Sequence, residues 1–215
     1  MNIKGVIFDS DGTLVDSERI AAGLLWEMLG QRDIHLPREE VLQRFRGVQF
    51  AVFIASLAQQ YPWLDAEPFM QAFRSQSLTL FARGMQPMPG ALAFVSTLRL
   101  PKCVASNGPR NKIETCLGSA GLLEHFAERI VSAYEVNAWK PAPGLILEAA
   151  RVLQLSPHEC LLVDDSHAGV EAGLAAGSWV AGFGEEDFSA YAQEPRFHCV
   201  PTYEDLSRLL ERAAR

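Results

Sequence analysis

Lysine is scarce in this chain. Only Lys4, Lys102, Lys112 and Lys140 occur among 215 residues, and none falls between residues 17 and 84. Acids outnumber bases, giving a net charge of −7, which argues against the basic footprint of a nucleic-acid-binding surface. An anionic small molecule is still admissible, because one local cation or a metal can dominate a pocket. No apolar run approaches the roughly 18 residues of a membrane span. Residue 1 leads almost directly into a strand-like run, with no charged-then-apolar leader. Neither a membrane nor a nucleic-acid partner is therefore expected. The cysteines, Cys103, Cys116, Cys160 and Cys199, show no paired spacing, and there is no C-x₂-C or H-x₃-H pair. A structural zinc site is not expected on that ground, and the thiols read as reduced, in a cytoplasmic protein. Internal repeats, low-complexity tracts and a Gly-rich dinucleotide loop are also missing.

What is present is an ordinary globular composition, 48% hydrophobic and 21% charged, in a chain long enough for one large domain or two small ones. Short apolar runs recur, and each ends in polar residues. Val6-Ile7-Phe8 runs into Asp9-Ser10-Asp11-Gly12-Thr13. Lys102 to Ala105 runs into Ser106-Asn107. Arg129 to Ser132 is a short third run. Cys160 to Val163 runs into Asp164-Asp165, and Trp179–Ala181 and Phe197–Val200 follow. These read as buried strands. Between them lie helical patterns at about 91–98, 111–120, 144–153, 166–176 and 204–212. Alternating strands and helices predict an α/β fold, a doubly wound, mostly parallel Rossmann-like sheet.

Residues 17 to 84 break that alternation. They read as helices at about 17–31, 39–45, 50–60 and 66–81, with a turn at Arg46-Gly47-Val48 and no convincing strand. The expected organisation is a core of residues 1–16 and 85–215 with an inserted helical cap domain, 17–84. Gly169, Gly173 and Gly177, four apart in one helix, suit close packing of that helix on the sheet.

In an open α/β sheet, ligands bind beyond the carboxyl ends of the strands. Asp9 and Asp11 sit there, one residue apart, and Gly12 permits the turn that brings them together. Two close carboxylates repel unless a cation lies between them or one is protonated, and an all-oxygen site suits Mg²⁺. Ser106-Asn107 offers a hydroxyl and backbone N–H groups to a phosphoryl oxygen. Lys140, set between Trp139 and Pro141, is a compact charge suited to phosphate or to crowded carboxylates. Asp164-Asp165 loads a second strand end with acid. Individually, an Asx turn, a surface lysine or helix-dipole complementation would account for each. Their order along the chain, each after a buried strand, is what carries the signal.

With those motifs in place the chain resembles the haloacid dehalogenase superfamily of phosphotransferases, in the subgroup with a helical cap after the first strand. The resemblance rests on Asp9-Ser10-Asp11-Gly12-Thr13, Ser106-Asn107, Lys140-Pro141 and Asp164-Asp165-Ser166-His167-Ala168-Gly169, and covers essentially the whole chain. It implies that Asp9 is the nucleophile and forms an aspartyl-phosphate. Asp11 would protonate the leaving oxygen and then activate water. Ser106 and Asn107 would bind the phosphoryl group, and Lys140 would neutralise charge on Asp9 and phosphate. Mg²⁺ would be held by Asp9, the carbonyl of Asp11 and Asp165, with Asp164 as ligand or support.

Asp11 argues against the dehalogenases, which lack it. The phosphonate-cleaving branch needs a cap lysine, and residues 17–84 have none. The mutases carry a cap histidine near the position held here by Ala21, so hydrolysis is expected ahead of a sugar-phosphate mutase or a non-catalytic ligand-binding member. Arg19, Arg44 and Arg46 are the cap candidates for a second anionic group, with Arg46 favoured. The segments around Arg46, Ser106, Lys140 and Asp164 are similar to the bacterial 6-phosphogluconate phosphatases of this superfamily. That implies a small phosphorylated metabolite, a sugar or sugar acid, as substrate, and the chain is expected to be a monomer or weak dimer. His167 is the histidine expected nearest the rim of the site.

Overall fold

The structure is a computed structural model that describes residues 1–47, 50–126 and 129–213, without the side chains of residues 46 and 47. Six strands, β1 (Gly5–Phe8), β2 (Lys102–Ser106), β3 (Ile130–Ser132), β4 (Cys160–Asp164), β5 (Trp179–Phe183) and β6 (Phe197–Val200), form one sheet in the order β3-β2-β1-β4-β5-β6. Every pairing is parallel. This is the doubly wound order, and it reverses direction between β1 and β4, where such sheets open a crevice. All four residues of β1 and all five of β4 are buried. That is why both read as unbroken apolar runs, since a central parallel strand is covered on both faces.

The helices are α1 (Ser17–Gly30), α2 (Arg38–Gly47), α3 (Phe50–Gln60), α4 (Ala66–Arg83), α5 (Ala91–Thr97), α6 (Arg110–Ser119), α7 (Ala133–Val136), α8 (Gly144–Val152), α9 (His167–Ala176) and α10 (Tyr203–Ala213). Among the described residues none is long and apolar enough to cross a membrane. The chain divides into two compact units, Met1–Val15 with Gln86–Arg215, and Asp16–Met85.

In the first unit, Ile7, Cys103, Val131 and Leu162 of the sheet pack with Leu145, Ile146 and Ala149 of α8. Phe8 meets Phe94 and Phe126 edge-on, at ring separations of 6.2 and 6.0 Å. Helix α9 lies close to the sheet for a reason written in its glycines. A Cβ on Gly173 would stand 2.6 Å from Val180 and 2.8 Å from Leu162. Gly177 does something else: it is the αL cap that ends α9, at φ 80°. All four cysteines are free thiols.

The second unit holds α1 to α4 and, among its described residues, no strand. Leu25, Met28 and Leu29 of α1, Ile54 and Leu57 of α3 and Phe69 and Phe81 of α4 are buried in it. The turn expected from Arg46 is not made at Arg46 and Gly47, because α2 continues through Gly47; Val48 lies outside the described residues. An Arg44–Glu40 pair at 2.9 Å and the Phe45 ring 6.0 Å from Phe73 hold the preceding turn. A single glycine costs a helix only about 1 kcal/mol, too little to keep Gly47 out of α2. Asp16 precedes α1 but makes no side-chain cap; its carboxylate accepts from Arg19 Nε at 3.0 Å.

Candidate active site

The site grows from the carboxyl ends of β1 and β4, neighbours in register with Phe8 opposite Val163. Asp9 N donates to Val163 O at 2.9 Å, so the ladder holds the backbone of Asp9 one residue past the strand. Ser10 O then accepts from the N–H groups of Leu14 and Val15, at 2.9 and 3.0 Å, which closes the loop carrying Asp11. Gly12 sits at φ 79°, and a Cβ there would stand 2.0 Å from Asp165 Oδ2. Both the conformation and the close approach require glycine. Thr13 Oγ1 donates to Asp165 Oδ1 at 3.0 Å, and the buried Tyr203 hydroxyl donates to Thr13 O at 2.7 Å. The first acidic loop is thereby tied to the second.

Lys140 lies between the two strand ends. Its Nζ is 2.6 Å from Asp9 Oδ1 and 2.7 Å from Asp164 Oδ2, and the residue is 5% exposed. Asn107 sets its position. Lys140 N donates to Asn107 Oδ1 at 2.9 Å, and Asn107 Nδ2 donates to Lys140 O at 3.2 Å. The Asn107 side-chain amide is thereby clamped on the lysine backbone. Asp164 Oδ1 accepts from the Ser166 N–H at 2.9 Å and its hydroxyl at 2.7 Å. Ser166 also caps α9, accepting from Gly169 N at 3.0 Å. A Cβ on Gly169 would stand 1.9 Å from Asp164 Cγ, so this glycine gives the carboxylate its room.

Ser106 is buried at the end of β2, and its Oγ accepts from Gly108 N at 3.1 Å. Ser132 Oγ donates to Gly108 O at 2.7 Å, fixing the turn that starts α6. From the first turn of α6, Lys112 Nζ reaches Asp11 Oδ2 at 2.7 Å. Sequence reasoning noted Lys112 but did not assign it. A signal existed: a cation in the first turn of a helix opposes the helix dipole unless an acid meets it. Tyr203 and Ser132 carried no such signal.

The electrostatics follow from crowding. Four carboxylates, Asp9, Asp11, Asp164 and Asp165, stand at two adjacent strand ends with two lysines among them. Burial pushes the Asp9 carboxyl up to about 7, with Asp164 and Asp11 adding to the rise and Lys140 opposing it. Burial works to lower Lys140, but Asp164 and Asp9 overcome it and hold the ammonium above its ordinary value. The same balance, with Asp11 as the acid, raises Lys112. Among the described residues, no three acidic, histidine or cysteine side chains are gathered into a metal cage.

Of the other candidates, Arg19 and Arg44 pair with acids of their own segments, Asp16 and Glu40, and the Arg46 side chain lies outside the described residues. His167 opens α9, with Nδ1 3.2 Å from the Tyr191 hydroxyl and Nε2 3.4 Å from Glu186.

A family model of haloacid dehalogenase-like hydrolases matches residues 3–177. The chain is 35% identical over 210 residues to a 6-phosphogluconate phosphatase of Escherichia coli (strain K12), covering 97% of this chain and 94% of that one. It is 33% identical to hexitol phosphatase A of the same organism, over 84% of this chain and 82% of that one. Among solved structures, a hydrolase from Deinococcus radiodurans R1 with bound phosphate and sodium superimposes with a TM-score of 0.82 at 29% identity, covering 99% of this chain and 97% of that one.

Proposed function

The chain belongs to the haloacid dehalogenase-like hydrolases, and on that footing we propose that it is a Mg²⁺-dependent phosphatase acting through an aspartyl-phosphate on a small phosphorylated sugar or sugar acid, 6-phosphogluconate first among them. The observation that carries the reading is the Asp9–Lys140–Asp164 arrangement, with Asp11 two residues from Asp9. Asp9 has its carboxylate at the crevice and a cation 2.6 Å away, which opposes the rise that burial causes and so favours the ionised form that attacks phosphorus. As the Asp9–phosphorus bond forms, the bond from phosphorus to the leaving oxygen breaks, and Asp11 gives that oxygen its proton. Asp11 then takes a proton from water, which attacks the aspartyl-phosphate, frees phosphate and restores Asp9. The Ser106 hydroxyl and the Asn107 backbone N–H receive the phosphoryl oxygens. Asn107 contributes by holding Lys140.

The donor set fits Mg²⁺. It consists of hard carboxylate oxygens with more negative charge than two lysines balance, and this ion keeps several waters and takes only one or two carboxylates. Asp9, Asp165 and the carbonyl of Asp11 would hold it, and Asp164, already accepting from Ser166 and Lys140, would support them. When bound, the ion supplies charge neutralisation at the transferring phosphoryl group. The similarity to a 6-phosphogluconate phosphatase and to hexitol phosphatase A supports the substrate class, and the Deinococcus structure, which holds phosphate, supports a phosphoryl ligand. Substrate choice is assigned in this reading to the inserted helical unit, as a cap domain, with Arg46 as the residue that meets the second anionic group.

The test is phosphate release from 6-phosphogluconate, glucose 6-phosphate, glucose 1-phosphate, phosphoglycolate and nucleoside monophosphates, with Mg²⁺ and with EDTA. Metal-dependent release led by 6-phosphogluconate is expected. Asp9→Asn should abolish turnover with an unchanged circular dichroism spectrum. Turnover retained in that variant would overturn the covalent route, and release led by a different substrate would overturn the sugar-acid assignment alone.

A further inference from the structure

Lys112 has no place in the reading above, yet it meets the reactive loop. Its Nζ lies 2.7 Å from Asp11 Oδ2, in a contact spanning 101 residues of sequence. The two side chains are 29% and 22% exposed, so water competes for the carboxylate that must face one particular oxygen. The origin of Lys112 matters as much as the distance. It projects from the first turn of α6, and that turn is anchored at Gly108 by hydroxyls from two adjacent strands, Ser106 and Ser132. The same junction carries Asn107, which places Lys140. One rigid turn after β2 therefore aligns both lysines, one on each aspartate of the Asp9-Ser10-Asp11 loop.

Resting on the phosphatase reading, we propose that Lys112 is a positioning residue for Asp11, holding its carboxyl group where, in its protonated form, it delivers a proton to the leaving oxygen. When the phosphorus–oxygen bond breaks, the electron pair stays on the leaving oxygen and the Asp11 proton goes to it. A leaving group that is stable as an anion does not need that proton, whereas an alkoxide does. A fault in Asp11 placement must then appear with alkyl phosphates and nearly vanish with aryl phosphates. Loss of a charge that merely stabilised the phosphoryl group would slow both alike.

The experiment measures kcat/KM for p-nitrophenyl phosphate and for glucose 6-phosphate, at saturating Mg²⁺, in the wild type, Lys112→Met, Lys112→Arg and Asp11→Asn. The expected result is a loss of about 10- to 100-fold on glucose 6-phosphate in Lys112→Met, the scale of a catalytic group misplaced by about 1 Å. On p-nitrophenyl phosphate the loss should stay below about threefold. Asp11→Asn should show the same split more strongly, and Lys112→Arg should recover most of the alkyl rate. Equal losses on the two substrates in Lys112→Met, with the split intact in Asp11→Asn, overturn the proposal and leave the mechanism standing. A loss confined to 6-phosphogluconate relative to glucose 6-phosphate also overturns it, making Lys112 a contact for the substrate's carboxylate. Absence of any split in Asp11→Asn overturns both the general-acid reading and the role of Lys112.

Discussion

Replacing Lys140 by methionine removes the charge on which the site's two buried acids depend while keeping a stem of similar length. In the native protein that charge is 2.6 Å from Asp9 and 2.7 Å from Asp164, and the side chains of the three are 3%, 13% and 1% exposed, Lys140, Asp9 and Asp164 in turn. Removing one partner from a buried ion pair costs about 3–5 kcal/mol. An exposed pair such as Lys4–Glu159 is worth about 1 kcal/mol or less. Urea unfolding in EDTA-containing buffer at neutral pH measures the difference. With a slope of about 2 kcal/mol per molar urea, Lys140→Met should lower the midpoint by about 2 M and Lys4→Met by less than about 0.5 M. The probe must report on the unit that holds the site. Trp139 and Trp179 lie in that unit and Trp26 and Trp63 in the other, so a background with the latter two changed to Phe isolates the fluorescence. Adding Asp164→Asn to Lys140→Met should restore part of the loss, because one of the two facing charges is gone. A midpoint for Lys140→Met within about 0.3 M of the parent would refute the argument that buried carboxylates here rely on this lysine.

Two further outcomes test the packing. Gly169→Ala inserts a methyl 1.9 Å from Asp164 Cγ and should destabilise by about 1–3 kcal/mol or more, with activity falling in step as Asp164 is displaced. Thermal unfolding and p-nitrophenyl phosphate turnover check it together. Native protein treated with iodoacetamide at pH 8 should take up one label, on the exposed Cys199, and four labels in denaturant, counted by intact mass. Burial pushes the Cys116 thiol up to about 12 and the Cys160 thiol up to about 11, and raises Cys103 as well, so rapid labelling of any of these three in the native state would contradict the packing.

Much of the core was legible because its signals are local. Val6-Ile7-Phe8 and Leu161-Leu162-Val163 are apolar on every residue, which only a strand covered on both faces tolerates. Their alternation with helical patterns leaves a parallel sheet as the consistent outcome. The acids at the ends of two such runs mark the edge where the candidate site gathers, and Ser166 as a helix cap follows from its position before α9. Local reading failed where the outcome depended on competition. Arg46-Gly47 looks like a turn, yet both residues belong to α2, whose preceding turn carries the Glu40–Arg44 pair and the Phe45–Phe73 packing. The glycine series in α9 looks uniform, yet Gly169 makes room for a carboxylate, Gly173 for the sheet, and Gly177 supplies a left-handed cap.

Which residues form strands, which acids end them and the doubly wound α/β class thus follow from local sequence. Which charges meet does not. The Lys140 bonds to Asp9 and Asp164 span 131 and 24 residues, the Asn107 clamp spans 33, and the Lys112–Asp11 bond spans 101. Such contacts depend on strand order, on the placing of β4 beside β1 rather than beside β3, and on turns anchored from neighbouring strands. Hydrophobic periodicity acts over a few residues and carries no information about that order. A strand's neighbours are chosen by the packing of the whole sheet, whereas its own conformation is chosen by its side chains.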